Sequence, residues 1–374
     1  MSERNRPPFR ADHVGSLLRP QRLLDARDRH AKGEIDDAAL RRVEDDAITE
    51  AVKLQQDAGM KGVTDGEYRR EFFHIDFLER IDGVEQVPGG LPVSFHSHTE
   101  DVHFAPPGLK VTGKLKRSQG LNTDDFAYLR SQVGEGFVPK LCIPSPTMLH
   151  FRGGRKGVDE TAYPEMEGFF ADLAKVYREE IAELGALGCT YLQLDDTNLA
   201  YLCDPALREN ARKIGEDPDE LPRLYARLIN ESIRDRPADM AVCIHLCRGN
   251  FKSAWVAEGG YEPVAEVLFN ELAIDGYFLE YDDERSGDFA PLRFVPKGKT
   301  VVLGLVSSKL AALEAAGDVK KRIEEAARFC DGDQLCLSPQ CGFSSTVHGN
   351  QLTVEDEIGK LRLVAGIAAD FWGG

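Results

Sequence analysis

Met240-Ala-Val-Cys-Ile-His-Leu-Cys247 is an apolar run that ends with an imidazole and a thiol two residues apart. Its length and composition predict a buried β-strand. Because successive strand side chains point to opposite faces, His245 and Cys247 share one face, with Cα atoms roughly 6.6 Å apart. A single ion can therefore contact both side chains. Similar apolar runs downstream close with Glu280 and Cys341.

These four side chains have the chemistry of metal ligands. An imidazole, two thiolates and a carboxylate suit zinc, which takes tetrahedral N, S and O ligands at about 2.0–2.3 Å. We therefore predict a Zn²⁺ site formed by His245, Cys247, Glu280 and Cys341. The alternative is ordinary packing, because free Cys is commonly buried and His-x-Cys lacks the paired C-x-x-C spacing of zinc ribbons.

The rest of the chain alternates predicted strands with predicted helices. Strands are predicted near residues 10–16, 60–66, 138–145, 190–196, 240–247, 275–281, 300–306 and 334–341. Helices are predicted at about 36–58, 165–187, 218–236, 253–272, 317–329 and 355–370, where apolar residues recur at 3–4 spacing. Eight strands with crossover helices predict an α/β protein, a TIM (β/α)₈ barrel. A doubly wound open sheet is the alternative, but no Gly-x-Gly-x-x-Gly follows the first strand.

One segment interrupts this alternation. Residues 88–117 alternate apolar and polar side chains and contain Pro and Gly turns. They predict an antiparallel β-hairpin insertion between the second and third strands. The 374 residues are long enough for two domains, but a barrel with an insertion also fits, and we predict a single domain over residues 1–374.

Composition limits the partners and the compartment. The formal charge of −17 and the pI near 5.1 argue against nucleic acid or an anionic membrane as the main partner. The first eight residues have no apolar signal-peptide core, and no segment reaches 18 consecutive apolar residues. Eight scattered Cys are typical of reduced thiols. The prediction is a cytoplasmic enzyme without a membrane span, and a homo-oligomer is left open.

Polar residues at other strand ends should share the barrel mouth with the four ligands. Ser16 ends Asp12-His-Val-Gly-Ser16, Glu67 ends Thr64-Asp-Gly-Glu67, and Asp195 lies in Gln193-Leu-Asp-Asp196. Each residue also has a structural explanation, because an Asp can cap a helix, Glu67 can pair with Arg69 or Arg70, and Gly-Ser can form a turn. Their common position favours a functional role.

The combined motifs resemble the catalytic barrel of cobalamin-independent methionine synthase, in consistent order from about residue 10 to 370. The resemblance rests on His13-Val-Gly-Ser16, Asp65-Gly-Glu67, Gln193-Leu-Asp195, His245-Leu-Cys247, Glu280 and Ser338-Pro-Gln-Cys341-Gly. It implies that the His, the two Cys and the Glu hold zinc. It also implies that Ser16, Glu67 and Asp195 bind homocysteine, with the two carboxylates receiving its amino group. The implied reaction is that of 5-methyltetrahydropteroyltriglutamate-homocysteine methyltransferase, which forms methionine.

Three departures from that family leave the methyl or alkyl donor open. The family's second, amino-terminal barrel is missing. The seventh strand reads Gly304-Leu-Val-Ser-Ser308 and lacks the family's His, a candidate acid for protonating the leaving folate. His13 and His348 are the candidates to replace it. The stretch after Glu280 is also longer and more acidic than in the family. The donor could be a folate, a methylated corrinoid, a sulfonium or an epoxide.

Other functions remain open for this sequence. Single-barrel relatives include methionine-synthase-like proteins and the epoxyalkane:coenzyme M transferases, which alkylate a sulfonate thiol. Glu67 and Asp195 suit an amino-acid thiol, so homocysteine is favoured, although Arg19, Arg69, Arg70, Arg152 and Arg155 near the predicted mouth would suit a sulfonate. A metal-free barrel resembling uroporphyrinogen decarboxylase and a zinc-stabilised binding protein without turnover are the remaining alternatives.

Overall fold

A parallel β-sheet lies at the centre of the fold. The computed structural model describes residues 4–88, 93–97, 102–104 and 107–373. Its strands are β1 (Gly62–Val63), β2 (Asp82–Val87), β3 (Val93–Phe95), β4 (Val102–Phe104), β5 (Gly108–Lys116), β6 (Val138–Pro139), β7 (Leu141–Pro144), β8 (Tyr191–Asp196), β9 (Ala241–Leu246), β10 (Gly276–Glu280), β11 (Thr300–Val306) and β12 (Leu335–Pro339). Six strands form one parallel sheet in the order β12-β11-β10-β9-β8-β7, and β1 pairs in parallel with β6.

Helices connect and cover these strands. They are α1 (Gln21–Ala31), α2 (Asp37–Asp57), α3 (Ile75–Leu78), α4 (Thr123–Gln132), α5 (Met166–Ala186), α6 (Asn198–Tyr201), α7 (Pro205–Lys213), α8 (Leu221–Ile233), α9 (Glu262–Asn270), α10 (Ala316–Ala326) and α11 (Val354–Trp372). Every residue of β10, β11 and β12 is buried, as expected for parallel strands covered on both faces. The predicted α/β class with a parallel sheet is confirmed. None of the described helices is long and apolar enough to cross a membrane.

The prediction of a first strand over residues 10–16 is wrong. Only Ala11 forms a parallel bridge, to Leu337 of β12. The Asp12 carboxylate accepts the backbone N–H groups of Phe9 and His13, at 3.0 and 2.8 Å. Gly15 then adopts a φ of 136°. The hydrogen bonds of Asp12 therefore hold the backbone in a turn, and the positive φ of Gly15 prevents it from continuing as an extended strand.

Antiparallel pairs lie in and beside the predicted insertion. Strand β2 pairs with β5, and β3 pairs with β4. The β2–β5 pair begins at Asp82, ahead of the predicted boundary at residue 88. Residues 89–92, 98–101 and 105–106 of the predicted segment lie outside the described residues.

The helix predicted over 253–272 is too long. Helix α9 covers only Glu262–Asn270. Before it, Lys252 and Ser253 have φ values of 50° and 68°, and Gly259 has a φ of 109°, which are incompatible with a right-handed helix. The residues before α9 therefore form a loop, and Gly249, Asn250 and Phe251 at its start line the cavity described below.

Candidate functional site

The predicted metal ligands and the substrate-binding residue Asp195 lie at the carboxyl ends of the parallel strands. Asp195 of β8 is aligned with His245 of β9 in the strand register. Glu280 is the last residue of β10, and Cys247 directly follows β9. Cys341 follows β12 after Gln340. Because parallel strands end at one edge of the sheet, these side chains converge there.

The four predicted metal ligands come together in the structure. One ligand atom from each of His245, Cys247, Glu280 and Cys341 lies within 4.8 Å of those of the other three. All four side chains are buried. Neither ring nitrogen of His245 has a hydrogen-bond partner among the described residues. A buried imidazole with two free nitrogens beside two sulfurs and a carboxylate is a donor set that fits zinc.

The two cysteines form a coupled pair. Their Sγ atoms are 3.4 Å apart. The hydrogen bond from Cys247 holds the pKa of Cys341 well below its ordinary value, while the same bond and burial raise the pKa of Cys247. One thiolate is therefore already favoured at this position, and a cation would be needed to stabilise the second.

Glu280 is held ionised by its surroundings. Burial raises the pKa of this carboxyl, but the positive charges of Lys309 and Arg285 more than offset burial and leave the pKa lowered. Its Oε1 accepts the backbone N–H of Arg248 at 2.8 Å, and its Oε2 accepts from Gln340 Nε2 at 3.2 Å. The carboxylate is thus oriented before any ligand binds.

A small cavity opens beside this cluster, and we call it the central pocket. It measures about 60 Å³ and is lined by His245, Cys247 and Cys341 together with Ser16, Glu67 and Asp195. Aromatic side chains, including Phe95 and Tyr201, form much of the remaining wall. The structure therefore brings all three predicted substrate-binding residues to the same cavity as three of the predicted ligands.

Glu67 and Asp195 form a buried acidic pair in the central pocket. One carboxylate oxygen of each lies within 4.8 Å of the other and of the Cys142 sulfur. Burial and the charge of Asp195 raise the pKa of Glu67 to about 8, although Arg70 opposes the shift. Burial also raises the pKa of Asp195. Too little positive charge lies near the two carboxyl groups for both to ionise, so the pair suits a bound cation.

The backbone at Glu67 is strained. Its φ of 62° is unusual for a residue with a side chain. The Arg70 guanidinium donates to Glu67 Oε1 at 2.7 Å, which fixes the carboxylate towards the pocket. Of the two neighbours considered from the sequence, Arg70 is the partner, while Arg69 pairs with Glu44 and Asp45. Such strain is characteristic of functional sites.

Ser16 and the turn after Cys341 pack closely. The Ser16 Oγ accepts the Ser344 N–H at 3.3 Å. A Cβ at position 342 would lie 1.9 Å from that oxygen, so only Gly342 allows this approach. Asp196, the last residue of β8, does not line the central pocket, and its carboxylate accepts the Leu199 N–H at the start of α6.

The two histidines proposed to replace the missing acid do not line the central pocket. The buried His13 ring donates from Nε2 to the Gly62 carbonyl at 3.0 Å. The half-buried His348 packs edge-on against Phe251, with ring centroids 5.1 Å apart. Their catalytic role stays a prediction that the described geometry does not favour.

Sequence reasoning missed His74. This buried histidine lines the central pocket, and its Nδ1 has no hydrogen-bond partner among the described residues. Burial lowers its pKa well below the ordinary value, so the ring is neutral near pH 7. The Phe72-Phe73-His74 sequence lies in a loop, where hydrophobic periodicity gives no signal of orientation.

Comparison with known proteins defines the class as methyltransferase-like enzymes. The chain belongs to the family described as the catalytic domain of cobalamin-independent synthase, whose model matches residues 9–365. It is 47% identical over 371 residues to the uncharacterized protein YxjH of Bacillus subtilis, covering 99% of this chain and 96% of that protein. It is 23% identical over 331 residues to the methionine synthase of Pyrococcus abyssi, covering 88% and 84%. A solved structure from Listeria monocytogenes, provisionally described as a vitamin-B12 independent methionine synthase, is 38% identical with a TM-score of 0.79, covering 99% of both chains.

Proposed function

We propose that this protein is a zinc-dependent thiol alkyltransferase that transfers a methyl group to homocysteine and forms methionine. The observation that carries the proposal is the small pocket in which a His-Cys-Cys-Glu cluster faces a buried pair of carboxylates. The first group suits a metal that activates a thiol, and the second suits an ammonium. A thiol and an amino group within one small molecule describe an amino-acid thiol such as homocysteine.

His245, Cys247, Glu280 and Cys341 would hold the zinc. Bound zinc supplies the Lewis acidity that keeps a thiol deprotonated at neutral pH. The two thiolates and the carboxylate contribute three negative charges, which would keep a neighbouring substrate sulfur electron-rich. Arg248 and Gln340 hold the Glu280 carboxylate in one orientation. The chain's contribution is activation and alignment of the nucleophile.

Glu67 and Asp195 would bind the amino group of the substrate. An ammonium between them would allow both carboxylates to ionise, and Arg70 and Gln193 hold the pair in place through contacts of 2.7 Å each. Ser16 lines the same cavity and would bind the substrate's polar end. The aromatic wall would shield the reacting sulfur from water.

We also propose that the strands close into a (β/α)₈ barrel with an antiparallel insertion, within a single domain. The Ala11–Leu337 bridge ties residues 10–17 to β12. On the other side, Leu17 N–H donates to the Gly66 carbonyl at 3.1 Å, just after β1. These contacts support closure between β12 and the β1–β6 pair.

The proposal makes a prediction about pH. Because the pKa of Glu67 is raised to about 8, its carboxyl is protonated at lower pH. The carboxyl must then release that proton before it can bind an ammonium. The Kd of L-methionine, the proposed product, which has no titrating thiol, should rise by about tenfold per pH unit as the pH falls below 8. Calorimetric titration between pH 6 and 9 measures this. Glu67→Gln should bind more weakly, with a flat profile, and a pH-independent Kd in the unmodified protein would contradict the prediction.

A second prediction concerns the donor. Methyl transfer from methyltetrahydrofolate requires protonation of a poor amine leaving group, and neither His13 nor His348 lines the central pocket. Methyltetrahydrofolate should therefore be a weak donor, with or without a polyglutamate tail. A methylated corrinoid or a sulfonium, which leave without that help, should work better. Turnover with methyltetrahydrofolate at about 0.1–10 s⁻¹, near or below the usual enzyme median, would show this prediction to be wrong.

The experiment that tests the proposed function is a donor screen. Metal-loaded protein is incubated with homocysteine and each donor class in turn, and mass spectrometry detects the thioether. Methionine formation with at least one donor is the expected result. Thioether formation only with coenzyme M would favour a sulfonate thiol instead, and no thioether with any donor would reject the alkyltransferase assignment.

A further inference from the structure

Three buried polar side chains near the candidate metal ligands lack a hydrogen-bond partner among the described residues. They are the Arg248 guanidinium, the Tyr281 hydroxyl and the Ser286 hydroxyl. Each of the three residues is 0% exposed. In Arg248 all three side-chain nitrogens lack an acceptor. Because buried polar groups in proteins are almost always hydrogen-bonded, groups of this kind can mark the position of a bound ion or water.

The three groups lie around the start of α9. The Arg248 Cζ lies 4.5 Å from the centroid of the Tyr261 ring, and Tyr261 directly precedes the first turn of α9. The Tyr261 ring lies 5.4 Å from the Tyr281 ring, centroid to centroid. Ser286 lies beside the preceding residue, where a Cβ on Gly260 would lie 3.7 Å from the Ser286 carbonyl oxygen. The unpartnered groups therefore share one part of the interior.

The backbone of Arg248 holds its side chain in this interior. The N–H donates to Glu280 Oε1 at 2.8 Å, and the carbonyl accepts the N–H groups of Val256 and Ala257 at 2.9 and 3.0 Å. An arginine side chain keeps its charge in proteins. A full positive charge is therefore fixed inside the protein, where an uncompensated charge is costly.

Carboxylates close to Arg248 in the chain are engaged with another arginine. Glu280 accepts from the Arg248 N–H and from the guanidinium of Arg285. Asp282 and Asp283 also pair with Arg285. None of the carboxylates that the structure describes forms an ion pair with the Arg248 guanidinium. Its charge is therefore not compensated by direct contact with an acidic side chain.

The contact that the Arg248 guanidinium does make is with the Tyr261 ring. A cation–π contact offsets only part of the cost of burying a charge. The Tyr261 hydroxyl is itself engaged, because it accepts the Glu280 N–H at 2.9 Å and donates to the Glu280 carbonyl at 3.3 Å. The guanidinium therefore needs a further acceptor, and one that carries negative charge.

The start of α9 adds to the positive potential. This helix is nine residues long, and no side chain caps its first turn. The N–H groups at a helix N-terminus carry partial positive charge and attract anions. The two neighbouring segments approach closely, since a Cβ at Gly287 would lie 2.7 Å from the Gly260 Cα. Water would satisfy the hydrogen bonds but leave the charge of Arg248 uncompensated, so a small anion fits better.

We propose that Arg248, Tyr281 and Ser286 bind one small monovalent anion of the chloride class beside the start of α9. The guanidinium compensates the charge of the anion, and the two hydroxyls donate to it. None of the three side chains lines the central pocket, so this site is separate from the one proposed for the thiol. The anion stabilises the loop after β9, which carries Cys247. The inference goes beyond the proposed function and does not depend on it.

Bromide locates the site directly. Crystals of the unmodified protein are grown with sodium bromide in place of chloride and measured at the bromine absorption edge. The expected result is an anomalous peak in contact with the Arg248 guanidinium and the two hydroxyls. Ordered water at this place without an anomalous peak would overturn the inference.

Thermal unfolding measures the affinity in solution. Sodium gluconate, whose anion is too large for a buried site of this kind, is replaced stepwise by sodium chloride at constant ionic strength. The Tm of the unmodified protein should rise with chloride, because a ligand that binds the native state stabilises it. Arg248→Met keeps the apolar stem and removes the charge, and it should need at least tenfold more chloride for the same rise. An equal response in this variant, or none in the unmodified protein, would contradict the proposal.

Tyr281→Phe keeps the ring and removes only the unpartnered hydroxyl. It should weaken the chloride response by about tenfold, as expected for one hydrogen bond to a charged group. In gluconate alone it should be at least as stable as the unmodified protein, because its hydroxyl then has no anion to bind. Arg293→Met is the matched control, since Arg293 is exposed and its Cζ lies 4.3 Å from the Phe294 ring centroid. This control should keep the full chloride response, and a loss as large as that of Tyr281→Phe would overturn the assignment.

Discussion

Cys341→Ser and Cys247→Ser are each expected to lose most of the bound zinc and almost all thiol alkylation. Protein purified without chelator should carry close to one zinc per chain. A serine hydroxyl is a far poorer zinc ligand than a thiolate, and each change also breaks the 3.4 Å sulfur pair. Metal analysis of the purified proteins by mass spectrometry measures the zinc, and thioether formation measures the activity.

Cys330→Ser provides a matched control. This cysteine is half-buried, and its sulfur contacts only the Ala326 carbonyl at 3.9 Å among the hydrogen-bond partners described. Its substitution should leave the zinc content unchanged. All three variants should remain folded, because an extensive apolar core holds the strands and helices together without metal. Stoichiometric zinc in both Cys341→Ser and Cys247→Ser would contradict the assigned ligands.

Asp195→Asn should raise the KM for homocysteine by about tenfold or more without changing the zinc content. A charge-assisted hydrogen bond between the carboxylate and the substrate ammonium contributes about 1.5–3 kcal/mol. The amide keeps the shape of the side chain and removes its charge. Steady-state kinetics with saturating donor measures the change.

A substrate without an amino group controls for structural damage in Asp195→Asn. The thiol 4-mercaptobutyrate has the carbon chain and carboxylate of homocysteine but no ammonium. Its KM should already be high in the unmodified protein and should change little in the variant. An equal loss for both thiols would indicate a general distortion, and an unaltered KM for homocysteine would mean that the amino group binds elsewhere.

The sequence predicted the long apolar strands well. Residues 190–196 and 300–306 closely match β8 (Tyr191–Asp196) and β11 (Thr300–Val306), because parallel strands buried on both faces are continuous apolar runs. Residues 10–16 were also predicted as a strand, although only Ala11 and Val14 are apolar, and they form only one bridge. The difference lies in Asp12, whose carboxylate binds two nearby backbone N–H groups. Such a local competition is invisible to hydrophobic periodicity.

The residues of the site were predictable in different degrees. His245 and Cys247 share a strand, so period-two alternation placed them on one face. Their role as zinc ligands stays a prediction. Arg152 lines the central pocket because of how the segment after β7 packs in the fold. Nothing in the local sequence determines such a tertiary position. The same holds for His74, which reaches the pocket from a loop.

A competition assay tests the central claim most directly. Zinc-loaded and zinc-stripped protein each receive equimolar homocysteine and coenzyme M with one methyl donor that supports turnover. The ratio of the two methylated thiols is then read by mass spectrometry. The account predicts that methionine is the dominant product, that its formation requires zinc, and that Asp195→Asn shifts the ratio towards methylated coenzyme M. Predominant methylation of coenzyme M by the unmodified protein, or equal methionine formation without zinc, would contradict it.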